Sequence, residues 1–181
     1  FKPQMHCRAC DEPIEVWDVS YQPGSGAQLD ERDKKVRRRS SISLEHVPSE
    51  RSLYKNLINI VGDRWTSNLI SLSFHGLKRF DEFNKQLPVA TNILADRLKF
   101  LVSEGVFELR PYQERPVRNE YHLSNKGKDL FPWFITLLQW GDKWCDVNGN
   151  GKPMTLTHTR CNKALTGLVQ CSECGETLDP R

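Results

Sequence analysis

Residues 53–127 read LYKNLINIVGDRWTSNLISLSFHGLKRFDEFNKQLPVATNILADRLKFLVSEGVFELRPYQERPVRNEYHLSNKG, and this stretch decides the fold. Leu53, Leu57, Ile60 and Val61 recur at helical spacing until Gly62 and Asp63 break the period. Trp65, Leu69, Ile70 and Leu72 begin a second helix. Asp63 is placed to cap it, because a short carboxylate there accepts from backbone N–H groups that have no helical partner. Phe80, Phe83 and Leu87 mark a short third helix closed by Pro88, and Ile93, Leu94, Leu98, Leu101 and Val102 mark a fourth ended by Gly105. A short helix, a turn and a longer helix make a helix-turn-helix. Residues 106–110 and 119–123 are β-prone runs around a polar tip at 111–118, so a hairpin follows directly. Residues 124–127 lead into a last helix over roughly 128–145. The expected fold class is α+β, mainly α. It is a winged helix-turn-helix with a long C-terminal dimerisation helix and a small Cys-rich tail of zinc-knuckle or ribbon type.

Outside this stretch the chain is sparse in apolar periodicity. With 181 residues, 38% hydrophobic and 27% charged, it can bury one good core and a small satellite. No run approaches the roughly 20 apolar residues needed to span a bilayer, and no charged-then-apolar segment opens the chain. The expectation is a cytoplasmic protein with no membrane partner. The first residue is Phe1, which places the expected native start upstream. The net charge of +3 is too small to attract a polyanion by itself, so affinity has to come from local patches. There is no phosphate-cradling glycine loop, no paired His-Glu metal helix and no nucleophile beside a readable base, which excludes an enzyme.

Three segments are expected: 1–50 as a tail and charged linker, 51–147 as the winged helix, and 148–181 as the cysteine tail. The linker holds turn chemistry at 20–26 and a charge run at 30–41 that ends in Lys34, Lys35, Arg37, Arg38 and Arg39. The two ends of the chain resemble each other. His6-Cys7-Arg8-Ala9-Cys10-Asp11-Glu12-Pro13-Ile14 matches Gln170-Cys171-Ser172-Glu173-Cys174-Gly175-Glu176-Thr177-Leu178 in cysteine spacing, in the Glu and in the final apolar residue. The first copy reads as the tail of a preceding repeat, which makes this chain the C-terminal unit of a tandem pair. The last helix carries Leu130, Phe131, Trp133, Phe134, Leu137, Leu138, Trp140 and Trp144, more apolar surface than one buried face needs, so part of it should meet a second subunit.

A recognition helix near 91–103 presents Thr91, Asn92, Ala95, Asp96 and Lys99 opposite its apolar stripe. Asn92 can bond adenine, Thr91 and Ala95 can meet a thymine methyl, and Lys99 can take a phosphate or a guanine. Asp96 is assigned no contact, because phosphates repel a carboxylate. The wing near 110–118 offers Arg110, Arg115 and Arg118 against Glu114, and Lys78 and Arg79 stand just before the third helix. Arginines on a hairpin beside such a helix reach flanking phosphates or the minor groove.

The runs Gly62-Asp63-Arg64-Trp65, Lys78-Arg79-Phe80-Asp81-Glu82-Phe83, Leu94-Ala95-Asp96-Arg97-Leu98-Lys99-Phe100-Leu101, Gly105-Val106, Glu120-Tyr121-His122-Leu123-Ser124 and Trp140-Gly141-Asp142-Lys143-Trp144 resemble the HxlR-type winged-helix regulators, relatives of the MarR group. The resemblance spans roughly 52–144. It implies a bacterial, sequence-specific DNA-binding transcriptional regulator, in the first instance a repressor. The partner it implies is double-stranded operator DNA, bound by a homodimer or an intramolecular pseudo-dimer built on the first and last helices. Two positions depart from the family. Ser52 stands where many members carry a switching Cys, and Ala90 stands at the N-cap of the recognition helix, where Ser or Thr is usual. Ala cannot supply the capping bond, so Thr91 is expected to take over the cap and shift the helix start by one residue. The alternative reading is a winged-helix protein-interaction module with a metal- or redox-sensing cysteine tail.

His158-x-x-Cys161 and Cys171-x-x-Cys174 supply four ligands in two knuckles, suited to a structural tetrahedral Zn²⁺. Cys7 and Cys10 with Cys171 and Cys174 form an alternative four-Cys set. Cys145 reads as a small core residue.

Overall fold

A computed structural model of the chain describes residues 3–25, 52–145 and 151–178. The basic run at 34–39 lies outside the described residues. The chain divides into two compact units, residues 37–129 and the combination of 1–36 with 130–181. No helix among the described residues is long and apolar enough to cross a membrane.

The first unit is the winged helix. Helix α1 spans Ser52–Val61, α2 Arg64–Phe74, α3 Phe80–Gln86 and α4 Thr91–Ser103. Asp63 caps α2 as its position demands, with its carboxylate accepting from the N–H groups of Trp65 and Thr66 at 3.0 Å. Thr66 is buried, and its hydroxyl donates to the Ile60 carbonyl at the end of α1, which fixes the angle between the first two helices. Helix α4 starts where its pattern placed it, but Ala90 is the N-cap and no side chain caps it. Thr91 is the first helical residue, so the expected transfer of the cap to Thr91 does not occur. The helix ends at Gly105, whose φ of 69° is the left-handed conformation glycine adopts without a Cβ clash.

Strands β1, Phe107–Glu114, and β2, Val117–Leu123, form an antiparallel hairpin. The hairpin is longer than the runs 106–110 and 119–123 suggested, and only Arg115 and Pro116 lie between its strands. Residues 111–118 read as loop because they are charged and the hairpin there is solvated on both faces, so no apolar alternation marks it. Phe83, Phe107, Leu69, Ile70, Leu94, Leu98, Leu101 and Val106 are fully buried and form the core. Ser124 donates to the Gly105 carbonyl and accepts from Gly127, capping a short helix α5, Asn125–Lys128.

The second unit joins the two ends of the chain. Helix α6 spans Phe131–Trp144 and starts later than the single helix expected from 128. Strand β3, Pro3–Cys7, pairs antiparallel with β4, Gly167–Cys171; strand β5, Val19–Pro23, pairs antiparallel with β6, Met154–His158, which turns back to pair antiparallel with β7, Lys163–Ala164. The compact units part at 36 and 129, where the sequence expectation set its segments at 50 and 147. The N-terminal residues are not a detached tail, and α6 groups with them. Gly167 lies close under the Met5 side chain: a Cβ there would stand 2.7 Å from the Met5 sulfur, which would have to shift.

Candidate nucleic-acid interface and metal centre

Each expected base-reading residue lies on the solvent side of α4. Thr91, Asn92, Asp96 and Lys99 are exposed and Ala95 is half-buried, while Leu94, Leu98 and Leu101 anchor the opposite face. Arg97, between the two faces, donates to the Asp63 carboxylate at 3.1 Å. The residue that caps α2 thus also holds the recognition helix, a link that local sequence does not reveal.

The cations divide into two groups. Arg79 is engaged: its Nε donates to Glu120 at 3.0 Å and its guanidinium lies 4.4 Å from the Tyr112 ring centroid. The hydrogen bond from Arg79, then that from His122, holds the Glu120 carboxyl below its usual range. Tyr112 sits at the irregularity between Pro111 and Gln113 in β1, which turns it toward Arg79. The Tyr121 N–H donates to the Lys78 carbonyl at 2.7 Å. Glu82 accepts from the N–H groups of Lys78 and Arg79 and thereby closes the start of α3; those two bonds are what depress its carboxyl pKa. Arg79 therefore braces wing to helix, and its expected role as a backbone contact is subordinate to that brace. Arg110 pairs with Glu108 at 3.5 Å on the same strand, with both groups more than half exposed. Arg115, Arg118, Lys78 and Lys99 are exposed and make no ion pair among the described residues. A polar groove of about 340 Å³ at the base of the wing is lined by Arg79, Tyr112, Arg118, Asn119 and Tyr121.

The second unit gathers Cys7, Cys10, His158 and Cys161, with one ligand atom from each and all within 4.8 Å of one another. These residues are close enough to bind a metal ion. Cys7 and His158 are completely buried. Cys7 Sγ lies 3.9 Å from Cys161 Sγ, and His158 Nδ1 lies 3.4 Å from both Cys10 Sγ and Cys161 Sγ. His158 Nε2 has no hydrogen-bond partner among the described residues, so the ring's polar contacts run through the nitrogen that faces the sulfurs. The Glu12 N–H draws the Cys10 thiol pKa down, but burial and the neighbouring sulfurs outweigh it and leave the value raised. Burial opposes ionisation of Cys161, yet the Lys163 N–H and the two facing thiols leave its value lowered.

The quartet combines halves of the two sets expected from spacing. His158 and Cys161 belong to the first set, Cys7 and Cys10 to the alternative, and Cys171 and Cys174 are not part of the group. The reason is topological: pairing of β3 with β4 puts Cys7 opposite Gly167 and Cys171 opposite Pro3, so the two Cys-x-x-Cys turns lie at opposite ends of the ladder. Thr157 and Thr159 suggested a solvated His158; instead the Thr159 N–H and hydroxyl both bond the Asp18 carbonyl, and the histidine between the threonines turns inward. Cys145 is exposed, not core.

A helix-turn-helix with an outward polar face on α4 and unpaired cations on the adjoining wing defines the chain as a winged-helix DNA-binding protein. It belongs to the HxlR-like helix-turn-helix family, whose family model matches residues 60–149. An uncharacterised HTH-type transcriptional regulator of Mycobacterium tuberculosis is 35% identical over 68% of this chain and 78% of its own length. The HTH-type transcriptional regulator YodB of Bacillus subtilis is 31% identical over 51% of this chain and 83% of its own. A putative transcription factor from Pseudomonas aeruginosa, of known structure, is 29% identical with a TM-score of 0.50, over 71% of this chain and 83% of its own. The chain is a DNA-binding transcriptional regulator and not an enzyme.

Proposed function

We propose that this regulator represses transcription by occupying operator DNA. The recognition helix α4 would lie in the major groove, with Thr91, Asn92, Ala95 and Lys99 toward the bases, and Arg115 and Arg118 would hold the flanking backbone. The observation that supports this most directly is the division of cations: Arg79 is engaged in bracing the wing, while Arg115 and Arg118 stand exposed without an acidic partner among the described residues. Arg110, Lys78 and Arg79 are placed as secondary contacts. Exposed Leu57 and Ile58 on α1 and Trp133, Leu137, Trp140 and Trp144 on α6 support a homodimer, or a pseudo-dimer with a second unit in tandem, built on these two helices. Such a dimer would place two recognition helices about one turn of DNA apart.

The cysteine quartet is proposed to hold a structural Zn²⁺. Tetrahedral zinc with sulfur at about 2.3 Å and nitrogen at about 2.05 Å requires edges of about 3.8 Å between sulfurs and about 3.6 Å between sulfur and nitrogen. Three edges, of 3.9, 3.4 and 3.4 Å, are close to those lengths, and all four ligand atoms lie within 4.8 Å of one another, so a small inward adjustment would close the tetrahedron. With four protein ligands the site is closed, and the metal would supply folding free energy to the joined ends.

The test is an electrophoretic shift assay on the DNA upstream of the chain's own gene, repeated across salt concentrations. Each lost phosphate contact should reduce the salt slope by about 1, so Arg115→Ala or Arg118→Ala in a dimer should reduce it by about 2. Binding that ignores both salt and these arginines overturns the proposal.

A further inference from the structure

The described residues include three turns of one kind. In each, two ligand-type residues stand three apart, and the N–H after the second bonds the carbonyl of the first at 2.8 Å: Asp11 to Cys7, Asn162 to His158 and Gly175 to Cys171. The residue after the second ligand is left-handed each time, with φ of 60° at Asp11, 52° at Asn162 and 71° at Gly175. That conformation strains Asp and Asn mildly and glycine not at all, so its recurrence marks a constrained knuckle and not an ordinary turn.

Two of the three are closer kin. The Cys7 N–H bonds the Glu12 carbonyl at 2.9 Å and the Cys171 N–H bonds the Glu176 carbonyl at 2.9 Å. The Ile14 N–H bonds Met5 as the Leu178 N–H bonds Val169, and the bridges His6 to Pro13 and Gln170 to Thr177 correspond. The sequence likeness of the two ends is therefore a likeness of folded backbone. The register of β3 and β4 makes the relation symmetric. Met5 lies opposite Val169, its own counterpart, with Pro3 opposite Cys171 and Cys7 opposite Gly167, as around a two-fold axis.

We infer that the Cys171–Cys174 knuckle is a second metal-ligand pair for the His158–Cys161 hairpin, equivalent to the Cys7–Cys10 knuckle and exchangeable with it. The inference rests on the metal reading of the quartet. The donor set is the same either way, three thiolates and one imidazole. The backbone N–H groups of Glu173 and Cys174 face the Cys171 sulfur, so the turn wraps around that atom. Nine residues, 162–170, separate Cys161 from Cys171 and span up to roughly 30 Å when extended, enough to fold the later knuckle back onto the hairpin. In the arrangement seen, that knuckle sits four ladder positions from Cys7, roughly 13 Å away, so only one pair closes the hairpin at a time.

The experiment loads the full chain with Zn²⁺, then with Co²⁺, and compares Cys7→Ser/Cys10→Ser with Cys171→Ser/Cys174→Ser. The expected result is about one metal per chain in both variants, affinities within about 100-fold of each other, and one shared tetrahedral cobalt spectrum of three-thiolate intensity. A variant lacking all four cysteines should lose the site. Failure of Cys7→Ser/Cys10→Ser to bind, while the unmodified chain binds, overturns the exchange and leaves the quartet standing. Absence of metal from the unmodified chain overturns both. A four-thiolate spectrum in the Cys7→Ser/Cys10→Ser variant also overturns the exchange, because it would mean that Cys171 and Cys174 pair between copies.

Discussion

Replacing Asp63 by alanine should loosen the recognition helix through two losses that can be separated. The carboxylate caps α2 at Trp65 and Thr66 and, through its other oxygen, holds Arg97 of α4. Loss of an N-cap costs about 1 kcal/mol. The ion pair is partly solvated, with Asp63 20% and Arg97 38% exposed, so solvent screening limits it to about 0.5 kcal/mol. Together they predict about 1.5 kcal/mol, equivalent to a fall of about 6–12 °C in Tm for a unit of this size. Asp63→Asn retains a capping oxygen and loses the charge, so it should cost only about 0.5 kcal/mol. Urea denaturation of the full chain reads both, and a cycle with Arg97→Met should return a coupling of about 0.5 kcal/mol. Equal costs for alanine and asparagine would refute the capping argument, and strict additivity with Arg97→Met would refute the link to α4.

Gly167→Ala should destabilise the second unit by about 1–3 kcal/mol, because its Cβ would meet the Met5 sulfur at 2.7 Å; a Met5→Ala background should relieve most of that loss in the same urea titration. Burial holds the His75 imidazole below its ordinary value of 6.5. As pH falls below that value the unfolded chain takes up the proton first, so stability should decline until the lower, folded-state pKa is passed and then level off. A His75→Gln variant should show a flatter pH profile of stability across that window, and an unchanged slope would remove His75 as its source.

The helix-turn-helix was legible because its signals are local. The apolar period, the capping Asp63 and the stop at Gly105 each act within a few residues, and each appears where its chemistry put it. The length of the wing was hidden by its solvation, since residues 111–118 bury too little to show a two-residue period. The role of Arg79 was hidden for another reason: its carboxylate partner, Glu120, is 41 residues away, and no charge pattern in one segment announces that distance. The cysteine–histidine cluster was half legible. Spacing identified all the ligand types and the kinship of the two ends, but which pair meets His158 depends on the pairing of β3 with β4. That pairing joins strands with few distinguishing side chains, and its signal is Met5 and Val169 occupying equivalent places in the repeated segment. The buried state of His158 was hidden for the reason Arg79's role was: the ion pair that ties its hairpin to Asp18, Arg160 to Asp18 at 3.1 Å, joins residues far apart in sequence.

Contact between Cys10 and His158 spans 148 residues, and this has a consequence for the order of events on the ribosome. At about 5–20 residues per second, roughly 7–30 seconds separate synthesis of the first knuckle from that of the hairpin that completes it. The winged helix, whose contacts are mostly short in sequence, has time to fold in that interval. The first two thiols must meanwhile wait without their partners, so the joined ends close late, on a reading head that is already made.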